Sequence, residues 1–268
     1  MRLILLLAVM MGLRAEVRQG DVIRVAGPGE SARMNGRTVR LYGQADGSRL
    51  GLMPVPAAEK PGDYALEVLD ASGKVVRSGD VEVKDARFRR QNVLIAKQTA
   101  ALAASEEETR LVRAFLQAET EGRYWADPLG LPLAGCMISP YGVQRFHNGI
   151  PTGNVHGGWD QRGGKGTAVR AAAAGVVRIA KMFELRGGTV GIDHGQGLET
   201  MYLHMSGFAV QEGAEVKEGE VVGYVGSTGR STGPHLHWSI LANGVAVNPA
   251  QWVKVKACAA QAAAGKKK

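Results

Sequence analysis

The chain has 268 residues, 45% hydrophobic and 22% charged, enough for one large or two modest domains each to bury a core. This composition excludes wholesale disorder, a collagen-like chain and a multispan membrane protein. With 33 Lys+Arg against 25 Asp+Glu the formal net charge is +8, a balance that suits an anionic polymer, whether a bacterial envelope or nucleic acid, and equally well a surface of dispersed solvated charge.

Arg2 precedes an uncharged run from Leu3 to Leu13. It is long enough for the core of a secretion signal and too short for the roughly 20 residues that cross a bilayer. The pattern predicts a signal peptide over residues 1–15, cut after Ala15, and an exported chain with no further apolar run to anchor it. In such a chain two cysteines, Cys136 and Cys258, suggest one disulfide more than a metal site.

Residues 16–88 carry short β-favouring runs such as Val22–Val25, Thr38–Tyr42, Tyr64–Leu69 and Val81–Val83, separated by turn signals including Asn35-Gly36 and Asp46-Gly47. They predict a small β-sandwich without a cluster of chemical groups. Residues 89–127 turn alanine-rich, and Ser105 followed by Glu108 reads as a capping box before Leu111, Val112, Phe115 and Leu116. We expect a helical connector there. From 128 to 255 short strands alternate with glycine turns, with 24 of the 37 glycines between 128 and 258, and this half is expected to be β-rich. Residues 256–268 form an Ala/Lys-rich tail.

All six histidines lie between 147 and 237. In His235-Leu236-His237-Trp238-Ser239-Ile240, strand alternation puts His235, His237 and Ser239 on one face and the apolar residues on the other, toward a core. His156 and Asp160, four residues apart across two glycines, converge on one face of an extended segment. Two neutral imidazoles and a carboxylate suit zinc, so His156, Asp160 and one histidine from His235/His237 give the three-ligand pattern of catalytic zinc. Alternation through Thr200-Met-Tyr-Leu-His204 groups His204 with Thr200 and Tyr202 on a polar side, where a base could sit. His194 reads as a turn residue, and His147 carries little signal beyond its closeness in sequence to His156. There is no His-Glu-x-x-His helix, so a glutamate base is not expected.

Residues 130–252 resemble the LytM/lysostaphin family of secreted zinc metallopeptidases, which hydrolyse peptide bonds in peptidoglycan. The resemblance is carried by Gly223 to Trp238 (GYVGSTGRSTGPHLHW), His156-x-x-x-Asp160, Ile192-Asp-His-Gly-Gln-Gly-Leu, Tyr202-Leu-His204 and Gly166 to Val177. It implies a C-terminal glycine-rich β-sheet catalytic domain, which with the small N-terminal β-sandwich-like domain and short helical connector read from the residues makes a mainly β chain. It also implies zinc held by His156, Asp160 and His237, with His204 and His235 as catalytic histidines, and peptidoglycan rather than nucleic acid as partner. Trp159 departs from the smaller aliphatic residue usual in the family before the aspartate. Two rival readings remain at this stage. One is a non-catalytic envelope protein that binds peptidoglycan or activates another hydrolase. The other, from the run 167–225, is a lipoyl- or biotin-type carrier using Lys181.

Overall fold

The computed structural model describes residues 6–8 and 14–258. The leader expected over 1–15 and the tail expected over 256–268 fall mostly outside those residues. Ala15 is described; it is buried and opens the Ala15–Arg18 strand, so a cut after it would fall inside a paired segment.

The N-terminal part is two sheets face to face. Leu6–Ala8, Val22–Ala26, Arg49–Pro54 and Tyr42–Gly43 form one; Ala15–Arg18, Val75–Lys84, Gly62–Leu69, Ser31–Met34 and Arg37–Arg40 form the other. Asn35 and Gly36, at φ 46° and 74°, make the hairpin turn between the last two strands, because the favoured two-residue turn needs left-handed backbone at both positions. Alternate side chains of the facing strands, among them Ile23, Val25, Met34, Leu66, Val68, Val81 and Val83, fill the space between the sheets.

An eight-stranded antiparallel sheet organises the C-terminal half. Its strand order is Met137–Ser139, Trp159–Arg162, His235–Ala242, Leu198–Met205, Gly187–Asp193, Gly175–Phe183 and Glu215–Val216, with Val245–Val247 also paired to His235–Ala242. Leu236, Trp238 and Ile240 point from the central strand into the main core, where they meet Tyr202, Val190 and Ile192. A small sheet of Ala168–Arg170, Val221–Tyr224 and Gly207–Phe208 closes that core through Val169 and Val222. Trp159 is buried opposite Trp238, ring centroids 6.3 Å apart, so its role is packing.

The connector is only partly helical. Arg90–Val93 is a strand that pairs in parallel with Gln144–His147, which pairs in turn with Ile150–Val155. A parallel partner 54 residues away leaves no local pattern for a sequence reading to find. The main helix, Glu106–Leu116, begins as expected, with Ser105 Oγ accepting from the Glu108 N–H at 3.1 Å. The second half of the capping box is absent. The Glu108 carboxylate instead turns inward, fully buried, and accepts from the Leu185 N–H at 3.1 Å and Arg186 Nη1 at 2.6 Å. Val112 and Phe115 then pack on Ile179, Phe183, Met201 and Leu241, on the sheet face opposite the main core. Glu108→Ala would leave a cation and a buried N–H without their acceptor. Complete burial would make that loss about 3–5 kcal/mol, but Arg186 is 28% exposed, so a fall of about 2–3 kcal/mol in chemical unfolding is expected.

The two halves share an interface. Val22, Leu52 and Ala57 of the sandwich belong to the main C-terminal core. The Val22 N–H donates to Gln251 Oε1 at 2.7 Å, and Asn243 Nδ2 donates to the Leu52 carbonyl at 2.6 Å. Arg24, paired with Asp127, stacks on Trp125 and Trp252 at 5.3 and 5.0 Å. Cys136 and Cys258 are joined by a disulfide that ties the first strand of the large sheet to the chain after its last. Among the described residues no helix is long and apolar enough to cross a membrane.

Near this interface Glu199 is buried, with Oε1 unpartnered and Oε2 accepting from the Gly244 N–H at 3.4 Å. Burial pushes its carboxyl well above the ordinary value of 4.5, with Asp193 adding to the rise and the Gly244 bond opposing it. The folded state therefore holds a proton that the unfolded state releases above about pH 4.5, and stability is lost as pH rises toward the folded pKa. Glu199→Gln should remove that slope, so its melting temperature should gain on the wild type from pH 5 to pH 8. Parallel curves for the two proteins would show Glu199 ionised in the fold.

Candidate active site

Strand alternation places His235, His237 and Ser239 on the face away from the main core. The neighbouring strand runs antiparallel, with Asp160 opposite His237 and Trp159 opposite Trp238. His156 precedes that strand. Gly158 lets the chain pass, since a Cβ there would lie 2.3 Å from the Trp238 carbonyl oxygen and 2.7 Å from Ser239 Oγ. Three donor atoms meet as a result: His156 Nε2 is 3.0 Å from Asp160 Oδ1 and 2.9 Å from His237 Nδ1, which is 2.9 Å from Asp160 Oδ1.

The outer ring nitrogens fix what these atoms carry. A carbonyl only accepts, so the 2.8 Å contact of His156 Nδ1 with the Pro140 carbonyl puts the proton on Nδ1 and leaves the Nε2 lone pair facing inward. His237 turns Nε2 to Ser239 Oγ at 2.9 Å, and a hydroxyl that accepts there leaves the Nδ1 lone pair inward. Two nitrogen lone pairs and a carboxylate oxygen thus converge within about 3 Å, a set that repels itself unless a cation lies among them. His156, Asp160 and His237, all buried, are a group that could hold a metal ion. Burial raises the Asp160 pKa, but positive charge on the inner side of His156 and then of His237, which only a proton there would supply in the absence of a metal, outweighs it and holds the carboxyl well below the ordinary range. Arg145 binds its second oxygen. Burial also lowers His237 to about 4.

His204 reaches this cluster by a route that alternation does not foresee. Thr200 and Tyr202 are fully buried and Tyr202 belongs to the main core, whereas Met201 and Leu203, opposite Ser239 and His237, face the cleft. A regular strand would send His204 toward the core as well. Tyr202 pairs with Val190 and Met205 with Gly188, so three steps on one strand oppose two on the other. This β-bulge, with His204 at φ 63°, swings its ring into the cleft. The turn after Gly226 clamps it there: His204 Nδ1 donates to the Thr228 carbonyl at 2.9 Å, and Thr228 Oγ1 donates to the Met205 carbonyl at 2.8 Å. His235 Nδ1 likewise donates to the Gly233 carbonyl at 2.8 Å. Both rings therefore present Nε2 lone pairs to the cleft, with centroids 5.0 Å apart. Burial, reinforced by His235 and His237, pushes His204 down to about 3.

The cleft has a volume of about 580 Å³. The Leu185–Arg186 loop, the 230–235 turn and the connector helix, through Val112 and Leu116, form part of its lining. Among the described residues none before Gln91 lines it, so the described N-terminal sandwich lies outside it. His147 lines the cleft but is not in the ligand group. His194 is buried elsewhere, donating from Nδ1 to the Ala174 carbonyl at 2.7 Å. Lys181 lies within the Gly175–Phe183 strand and pairs with Glu107 at 2.6 Å, so it is not the hairpin-tip lysine a carrier needs. Sequence reasoning missed Arg145, Arg186 and Arg230, which meet the site from one strand and two loops that are separate in the chain. Ser239 did carry a signal, because alternation set it on the histidine face.

Residues 154–249 match peptidase family M23. The chain carries an M23 peptidase domain of the LytM/lysostaphin type. Over 113 residues, 42% of this chain, it is 48% identical to the DD-carboxypeptidase/endopeptidase Mpg of Neisseria meningitidis serogroup B. Over the same length it is 37% identical to the peptidoglycan DD-endopeptidase ShyC of Vibrio cholerae. In each case the match covers 26% of the relative, so the chain spans about a quarter of the length of these proteins. A crystal structure of an M23 peptidase from Pseudomonas aeruginosa superposes with TM-score 0.66 at 28% identity, covering 87% of this chain and 93% of that one. The M23 match contains all five residues of the cluster, and the mainly β architecture is the one its relatives share.

Proposed function

We propose that this chain is an exported zinc endopeptidase that hydrolyses peptide crosslinks of bacterial peptidoglycan. His156, Asp160 and His237 are its zinc ligands, and His204 and His235 its catalytic histidines. The observation that carries the reading is the disposition of ring nitrogens: the outer nitrogens of all four histidines face carbonyl or hydroxyl oxygens, and the inner nitrogens face one small volume beside Asp160. The disulfide supports export, since such bonds persist in oxidising compartments.

Held by His156, Asp160 and His237, zinc would keep a net positive charge and would supply a Lewis acid for a substrate carbonyl and for water. The chain's own groups do the rest. His204, neutral because of its burial, accepts a proton at Nε2, and the Thr228 carbonyl holds the ring in the tautomer that can do so. His235, held by the Gly233 carbonyl, lies across from it and offers a second Nε2 that can accept a proton, and once protonated there it can donate to a developing oxyanion. Arg145 keeps Asp160 ionised and oriented, as the partners behind metal ligands commonly do.

The test combines metal content with release of soluble muropeptides from purified sacculi. About one zinc per chain together with release supports the reading. A protein that sediments with sacculi and solubilises nothing would be a binding module instead.

A further inference from the structure

The charges lining the cleft are unevenly matched. Asp160 is the single acid among the described lining residues, against Arg145, Arg186 and Arg230. Arg145 is paired with Asp160, and Arg186 with Glu108. Among the described residues no carboxylate lies within ion-pair distance of Arg230, although it is half-buried and shares the cleft with the other two guanidiniums. Its pKa is lowered by burial and then by Arg145 and Arg186, and Arg230 itself helps to lower that of His147. A cation held in such a place without a counter-charge is one that a ligand carboxylate would relieve.

The backbone around Arg230 is fixed. Its N–H donates to the Leu185 carbonyl at 2.9 Å. Gly229, at φ 66°, is packed so closely that a Cβ would lie 2.3 Å from the Gly187 nitrogen. Five residues on, the chain reaches His235, so the backbone carrying Arg230 and one of the two cleft histidines belong to one stretch that is held in place at Arg230.

Resting on the hydrolase reading above, we propose that Arg230 is a specificity-determining residue that receives a free carboxylate of the substrate beside the scissile peptide bond. The crosslinks that offer one are direct stem-peptide links, in which the diamino acid supplying the scissile nitrogen keeps its own carboxylate on the same carbon. A glycine bridge offers none. The planar fork of an arginine suits such a group better than a lysine would.

The test uses the zinc-loaded full chain and two purified crosslinked muropeptides that differ only in whether that carboxylate is free or amidated. Binding and hydrolysis are measured separately. The wild type should bind the free acid roughly 10-fold or more tightly than the amide, the scale of one charged hydrogen-bonded pair, with the difference in KM rather than kcat. Arg230→Gln should erase the preference by weakening the acid alone, and Arg230→Lys should restore part of it. Equal binding of acid and amide by the wild type would overturn the assignment, as would an Arg230→Gln loss of equal size on both. A preference that depends on Arg230 without cleavage of either peptide would support the carboxylate site and count against the hydrolase reading alone.

Discussion

Asp160→Ala is expected to leave the protein essentially free of zinc after dialysis, a fall in affinity of several orders of magnitude. Asp160 is the one charged donor of the group, and its Oδ1 lies within 3.0 Å of both ligand nitrogens. Removing it deletes a metal bond and also exposes the site to Arg145, whose charge the carboxylate neutralises. A dication would then meet two neutral imidazoles and an unpaired guanidinium. Asp160→Asn separates the two effects, because it keeps the shape of the side chain while losing its charge. It should fail nearly as badly, and a double change with Arg145→Gln should recover part of the metal. Zinc per chain by elemental analysis, with folding followed by circular dichroism, reads the outcome. Wild-type zinc content in folded Asp160→Ala would show that the metal is held elsewhere.

Much of the candidate metal group was open to sequence reasoning because its geometry is local, although alternation left open whether His235 or His237 completes it. A period of two fixes which side of the strand His235, His237 and Ser239 occupy, and Leu236, Trp238 and Ile240 have only one place to go. The Asn35-Gly36 hairpin and the Ser105 cap are similarly local, each decided by a residue's own backbone and side-chain preferences. His204 shows the limit. Its arrival at the site depends on an extra residue in one strand, and a histidine at positive φ leaves no mark such as a glycine would. The expected grouping with Thr200 and Tyr202 named a residue that reaches the cleft while assigning two core residues to its side. Arg90–Val93 and the pairings of Arg145 and Arg186 were hidden for another reason: their partners lie far along the chain, and a solvated arginine and a cleft arginine look alike in a sequence.

His204→Ala and His235→Ala should keep zinc and lose turnover, which separates holding the metal from using it. Neither residue belongs to the triangle of donor atoms. The outer nitrogen of each is tied to a backbone carbonyl, of Thr228 or Gly233, so removing the ring frees that carbonyl without moving a ligand. Loss of a positioned proton acceptor or oxyanion donor is expected to cost roughly 10²- to 10⁴-fold in kcat. The pH profile adds a second readout. With His204 pushed down to about 3 and His237 to about 4, neither ring is protonated between pH 6 and pH 8. A nearby dication lowers both further by like-charge repulsion. The wild type should therefore not lose activity through protonation of His204 in that range, and at lower pH its activity and zinc content should fall together as protons displace the metal. Activity that falls below pH 7 while zinc stays bound would mean that another group titrates in the rate. Near-normal digestion of sacculi by zinc-replete His204→Ala would remove His204 from the chemistry, leaving its bulge a structural feature of the sheet.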